Sequence, residues 1–174
     1  MGNKYEEALK SYTYDHGDKI SACIKNNKRI EEQQNIINKI ILWKINRQAE
    51  PKVSVLEKLV HVHEIQLNDL CTNKKETEDR VKDLLISLIE TKGIRLPMAS
   101  TILHFYNRET FPIIDQRAYR ELYEKEAPRF TEENSCDIYA KYIKDCYKYW
   151  EDNCKCVGIE FSDIDKILYH LDKN

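Results

Sequence analysis

In the stretch TFPIIDQRAYREL, residues 110–122, an apolar run from Phe111 to Ile114 stops at one acid, Asp115, where a helix begins. A carboxylate in that place has two readings. It caps the helix, because Asp is among the residues whose side-chain oxygen accepts from a free amide of the first turn. Or the fold holds an anion, which a helix N-terminus favours, against a centre that becomes positive during a reaction. The two are compatible, since a capping carboxylate can still face outward.

Other side chains with chemical potential are weaker candidates. His61 and His63 lie two apart, which on a helix turns them to different faces, so with Glu64 they make a poor metal site. Cys136, Cys146, Cys154 and Cys156 cluster as C-x9-C-x7-C-x-C, without the paired C-x2-C of a zinc ribbon. With Cys23 and Cys71 they read as reduced thiols, several of them buried, and no metal is expected. His104 reads either as a satisfied core histidine or as a donor into a pocket.

Net charge is only −2 over 174 residues, which argues against coating nucleic acid through bulk charge. Its distribution is uneven. Between residues 19 and 58, nine basic residues (Lys19, Lys25, Lys28, Arg29, Lys39, Lys44, Arg47, Lys52, Lys58) stand against four glutamates, an excess of five, while acids prevail from residue 132 onward. Only the basic end is suited to face phosphate. Lys44 and Arg47 there are either phosphate ligands or a solvated helix face, and Trp43 is either a stacking platform or core. No apolar stretch is long enough for a membrane span, and the opening MGNKYE reads as neither a secretory nor a myristoylation signal, so the expected setting is the cytoplasm.

The elements that must position these groups are helical. In RVKDLLISLIE, Val81, Leu84, Leu85, Leu88 and Ile89 recur on one helical face. NIINKIILWKINR carries Ile36, Ile37, Ile40, Ile41 and Ile45 and is apolar enough to be a central helix. SVLEKLVHVHEIQLNDLC reads as a helix with Ser54 as N-cap, although VHVHEIQL alternates like a strand that would have no partner. MASTILHFY is a short buried helix entered through Pro97, and DQRAYRELYEKE a helix capped by Asp115 and ending before Pro128. CDIYAKYIKDCYKYWEDNC gathers Ile138, Tyr142, Ile143, Cys146, Tyr149 and Trp150 on one flank, stopping at Gly158. SDIDKILYHL closes the chain with Ser162 as N-cap.

Residues 81–115 therefore read as helix, tight TKGIRL turn, helix, then a loop closed by FPIID. That outline resembles the helix-hairpin-helix DNA glycosylase superfamily, which includes endonuclease III, the adenine glycosylase and the alkyladenine and 8-oxoguanine glycosylases. ASTILHFYNRETFPIID lies on the adenine glycosylase pattern without a gap from Ala99 to Asp115, and the similarity covers roughly residues 88–122. It implies an all-α fold of two helical lobes flanking a cleft, here a single domain over 1–174 with the hairpin and catalytic-Asp segment at 81–122. Asp115 would be the catalytic carboxylate, stabilising the oxocarbenium-like sugar as the base leaves. Gly93, Arg95, Lys44, Arg47 and Arg117 would contact DNA, and Trp43 and His104 would line the base pocket. The expected partner is double-stranded DNA holding a damaged or modified base, bound by a monomer. Neither membrane nor cofactor is expected.

The departures narrow the expectation. Arg95 stands where the family's second hairpin glycine belongs, and a guanidinium can bind phosphate itself. Pro97 falls where bifunctional members carry a nucleophilic lysine, so the resemblance implies base release without strand nicking. The iron–sulfur cysteine loop of endonuclease III is absent from the sequence. The rival expectation is a catalytically silent module of the same fold that binds DNA or protein.

Overall fold

The computed structural model describes residues 30–44 and 49–172. The chain divides into two units, residues 1–48 and residues 49–174. In the first, helix α1 spans Ile30–Lys44. It is not the buried central helix its composition implies: Ile36 is buried, whereas Ile37, Ile40, Ile41 and Leu42 are exposed. At about 100° per residue these side chains spread around much of the cylinder, and burial takes only one edge of it.

The second unit is built from α2 (Val53–Val60), α3 (Leu67–Cys71), α4 (Lys75–Ile89), α5 (Leu96–Tyr106), α6 (Gln116–Tyr123), α7 (Ser135–Asn153) and α8 (Ile164–Leu171), joined by three 3-10 turns. No strand occurs among the described residues, and no helix among them is long and apolar enough to cross a membrane. α4 buries the stripe its periodicity predicts, Val81, Leu84, Leu85, Leu88 and Ile89, against α2, α5 and α7. α7 buries Tyr139, Tyr142, Ile143 and Cys146 and touches α3, α4, α6 and α8, which makes it the hub of the unit. Cys71, Cys136, Cys146, Cys154 and Cys156 are free thiols, three of them buried.

Several helix ends differ from expectation. Ser54 lies inside α2, whose N-cap is the extended Lys52. The helix expected to run on through VHVHEIQL stops at Val60, followed by a 3-10 turn over Val62–Glu64 and the short α3. Side chains from far along the chain take the carbonyls a continuing helix would need: Asn107 Nδ2 donates to Val62 O (3.0 Å) and Ile65 O (2.8 Å), and Thr110 Oγ1 donates to Ile65 O (3.0 Å). α7 ends at Asn153, and Gly158, at φ +79°, instead closes the 3-10 turn Lys155–Val157. Ser162 sits inside another such turn and accepts from Arg108 Nη2 (3.1 Å), leaving Asp163 to precede α8.

α8 pins α6 from outside. Arg120 grips Asp172 in a fork, Nε to Oδ1 at 2.6 Å and Nη2 to Oδ2 at 2.7 Å, and the Arg117 guanidinium lies 5.1 Å from the Tyr169 ring centroid. A fork of this kind is stronger than a single charged contact and fixes orientation as well as distance.

Burial of the α4 stripe carries a direct test. Leu85 is 1% exposed and its neighbour Ile86 38% exposed. Leu85→Ala is expected to destabilise the protein by about 2–5 kcal/mol in urea unfolding, and Ile86→Ala by less than about 1 kcal/mol.

Candidate functional site

Asp115 precedes α6, at the end of a segment that side chains of α5 and α7 hold. α4 and α5 are joined by a β-turn in which Ile94 N–H donates to Thr91 O at 3.0 Å. Gly93 has φ +89° at the third position, the left-handed backbone that a type II turn requires and that glycine adopts without a Cβ clash. Ile94 and Leu96 turn inward and are buried, so the extended residue between them, Arg95 (φ −121°, ψ 172°), points to solvent. There Arg95 Nη1 meets Glu132 Oε1 at 3.1 Å. Arg95 is also the N-cap of α5, which no side chain caps, and Pro97 has no amide to offer in the first turn.

From the far end of α5 the chain returns as the extended segment Phe111–Ile114. Phe111 and Ile114 are fully buried, and an extended buried backbone has no ladder to satisfy it. Four side chains do so in turn. His104 Nδ1 donates to Phe111 O (2.9 Å), which fixes the proton on that nitrogen because a carbonyl only accepts. Tyr139 Oη donates to Pro112 O (2.9 Å) and Tyr142 Oη to Ile113 O (3.1 Å). Ile114 N–H donates to Ser100 Oγ (3.2 Å), while that hydroxyl donates to Pro97 O (2.9 Å).

These contacts also give direction. His104 meets Phe111 and Ser100 meets Ile114, so the segment runs antiparallel to α5 and delivers Asp115 toward the Gly93 end of that helix. Asp115 then caps α6: one oxygen accepts from Ala118 N–H at 2.8 Å, and the side chain is half-buried rather than lost in core or solvent. Tyr142 registers the carboxylate nearby: burial first, then Cys146, then the charges of Asp165 and Asp115 hold its phenol well above the ordinary range. Asp115 lines neither a cleft of about 230 Å³ between α4 and α7, nor a polar one of about 290 Å³ between the start of α2 and Thr91–Lys92.

Other predicted site residues are dispersed. Arg117, half-buried on the first turn of α6, stacks on Tyr169. His104 is buried and serves the loop. The side chains of Trp43 and Lys44, and the whole of Arg47, lie outside the described residues. Ser100, Tyr139 and Tyr142 were not singled out from sequence as supports of the loop. A signal exists: Ser100 and His104 are four apart on an otherwise apolar helix, and Tyr139 and Tyr142 three apart, so each pair presents its polar atoms to one side.

Asp165, in the first turn of α8, is 7% exposed and has an Oδ1 that no described group satisfies. Burial pushes its carboxyl up from the ordinary 3.8, against the opposing pull of His104 and of the backbone amides of Asp165 and Lys166.

No family model, curated protein or solved structure matches the chain.

Two measurements follow from this site. Tyr139→Phe leaves Pro112 O unpaired in the core and is expected to cost about 1–3 kcal/mol by chemical denaturation, with a similar loss for Tyr142→Phe at Ile113 O. For Asp165 the folded state binds the proton more tightly than the unfolded chain, so stability is lost as pH rises from about 4 through the raised folded value. Asp165→Asn should therefore raise Tm by a few degrees at pH 7, an advantage that shrinks as the pH is taken down toward 4 in a thermal melt series.

Proposed function

We propose that the chain is a monofunctional DNA glycosylase of the helix-hairpin-helix kind, acting on a damaged or modified base in duplex DNA. The observation that carries this reading is the pairing of a glycine turn between two packed helices with a carboxylate that a rigidly hydrogen-bonded loop directs toward the same end of the hairpin. Breaking an N-glycosidic bond builds positive charge on the sugar, and a carboxylate fixed in advance stabilises it without reorganising during the reaction. Asp115 takes that role. Gly93 lets the backbone approach a phosphate closely, Arg95 adds a planar donor fork, and Arg117 contributes a second cation on the first turn of α6. Pro97 offers no amine for a Schiff base, so the product is an abasic site with the strand intact. In this reading Lys44 and Arg47 contact DNA and Trp43 serves the base pocket.

The geometry of Asp115 separates catalysis from capping. Asn caps as well as Asp, so Asp115→Asn removes the charge and keeps the helix start, whereas Asp115→Ala removes both. With duplexes containing uracil, 8-oxoguanine, alkylated purines or mismatched adenine, alkali-labile sites should appear with the wild type and fall at least about a hundredfold with Asp115→Asn. Tm should be unchanged in Asp115→Asn and lowered in Asp115→Ala, by about 1 kcal/mol in stability. Undiminished activity in Asp115→Asn rejects the mechanism.

A second reading is favoured by one observation, that the Asp115 carboxylate is engaged in capping α6, accepting from Ala118 N–H. It is a binding module of the same fold. Salt-sensitive retention of duplex without release of any base on the panel identifies that case.

A further inference from the structure

Arg95, two residues beyond Gly93, is already engaged. Arg95 Nη1 and Glu132 Oε1 are 3.1 Å apart although 37 residues separate them in sequence. Glu132 does not reach this place on a loose loop. Thr131 N–H donates to Asn134 Oδ1 (2.8 Å), and Asn134 N–H returns a bond to Thr131 Oγ1 (3.3 Å). Asn134 Nδ2 also holds Arg129 O (3.0 Å), and the Ser135 hydroxyl, at the buried start of α7, donates to Thr131 O. The turn that carries Glu132 is thus closed on itself and anchored to the hub helix.

We propose that Glu132 is an autoinhibitory plug: one of its carboxylate oxygens sits on the Arg95 guanidinium that a DNA phosphate would otherwise take. This rests on the nucleic-acid reading above. Carboxylate and phosphate offer the same planar donors the same kind of anionic oxygen pair, so they compete for one site. Both side chains are mostly exposed, at 70% and 65%, which makes the contact weak and displaceable. A plug of that strength sets a threshold rather than a block. It lowers retention on any single phosphate, and it is overcome where the rest of the surface contributes further contacts.

The neighbouring acid supplies the control. Glu133 lies on the same turn, is exposed, and carries the same charge, but it is not the residue that meets Arg95. Binding of the full-length protein to a short duplex is measured at low and moderate salt for wild type, Glu132→Gln, Glu133→Gln, Arg95→Ala and the double variant Arg95→Ala/Glu132→Gln, with Tm recorded for each. Glu132→Gln is expected to bind about two- to five-fold more tightly than wild type at low salt, with the gain shrinking as salt screens the pair. Glu133→Gln should show a clearly smaller gain, and the gain from Glu132→Gln should vanish when Arg95 is absent. If wild type binds and Glu132→Gln binds no better, the plug is refuted while the nucleic-acid reading stands. Equal gains from both glutamates, or a gain that survives loss of Arg95, also refute it, since general charge removal then accounts for the result. If no protein retains duplex at any salt, the nucleic-acid reading itself fails and takes the plug with it.

Discussion

A buried, extended stretch of backbone is the constraint around which this protein is arranged. Residues Phe111 to Ile114 have no strand beside them among the described residues; Phe111 N–H donates to Asn107 O, and the carbonyls of residues 111 to 113 and the amide of Ile114 need side-chain partners. An unpaired group costs about 1–3 kcal/mol, a large share of the stability of an ordinary domain. His104, Tyr139, Tyr142 and Ser100 meet that demand one residue at a time, from helices α5 and α7. Each bond contributes only about 1 kcal/mol net. Together they leave the segment a single register, and Asp115, the next residue, inherits its position from them.

Rigidity at that point is reinforced from several directions. α7 supplies two tyrosines that are core residues by burial and ligands by their hydroxyls, so loosening the core also loosens the loop. α6 is held at its start by the Asp115 cap and along its length by α8, through the Arg120–Asp172 fork and the stacking of Arg117 on Tyr169. Asp165 works against this economy of contacts. Its buried, incompletely paired carboxylate lies where hydrophobic packing would be more stable, and its charge is felt by Tyr139, Tyr142 and Cys146. The hairpin is organised differently. Its turn depends on one left-handed glycine, and its exposed arginine pairs with the exposed Glu132.

Much of the fold was legible before any coordinates. The α4 stripe was readable because five apolar residues fall at helical spacing and all five are buried. The Asp115 cap, the Pro97 entry into α5 and the tight turn at Gly93 were readable because each rests on the local chemistry of one residue type. Where the helix expected through residues 60–67 failed, distant residues intervened. Asn107 and Thr110 capture the carbonyls at 62 and 65 and break a helix whose own residues would have continued it. Ser54 and Ser162 have good capping side chains, yet neighbouring residues take the boundary.

By itself, then, the amino-acid sequence determined the helical character, the turn at Gly93 and the presence of an acid at the head of α6, because periodicity, backbone freedom and capping act within a few residues. Only the tertiary structure decided what those features face. It made His104 a support of the loop, recruited Ser100, Tyr139 and Tyr142 beside it, left Asp115 accepting from Ala118 at the head of α6 and set Glu132 against Arg95. The reason is physical: a buried polar group is satisfied by whichever partner the packing brings within about 3 Å, and that partner's place in the chain is arbitrary.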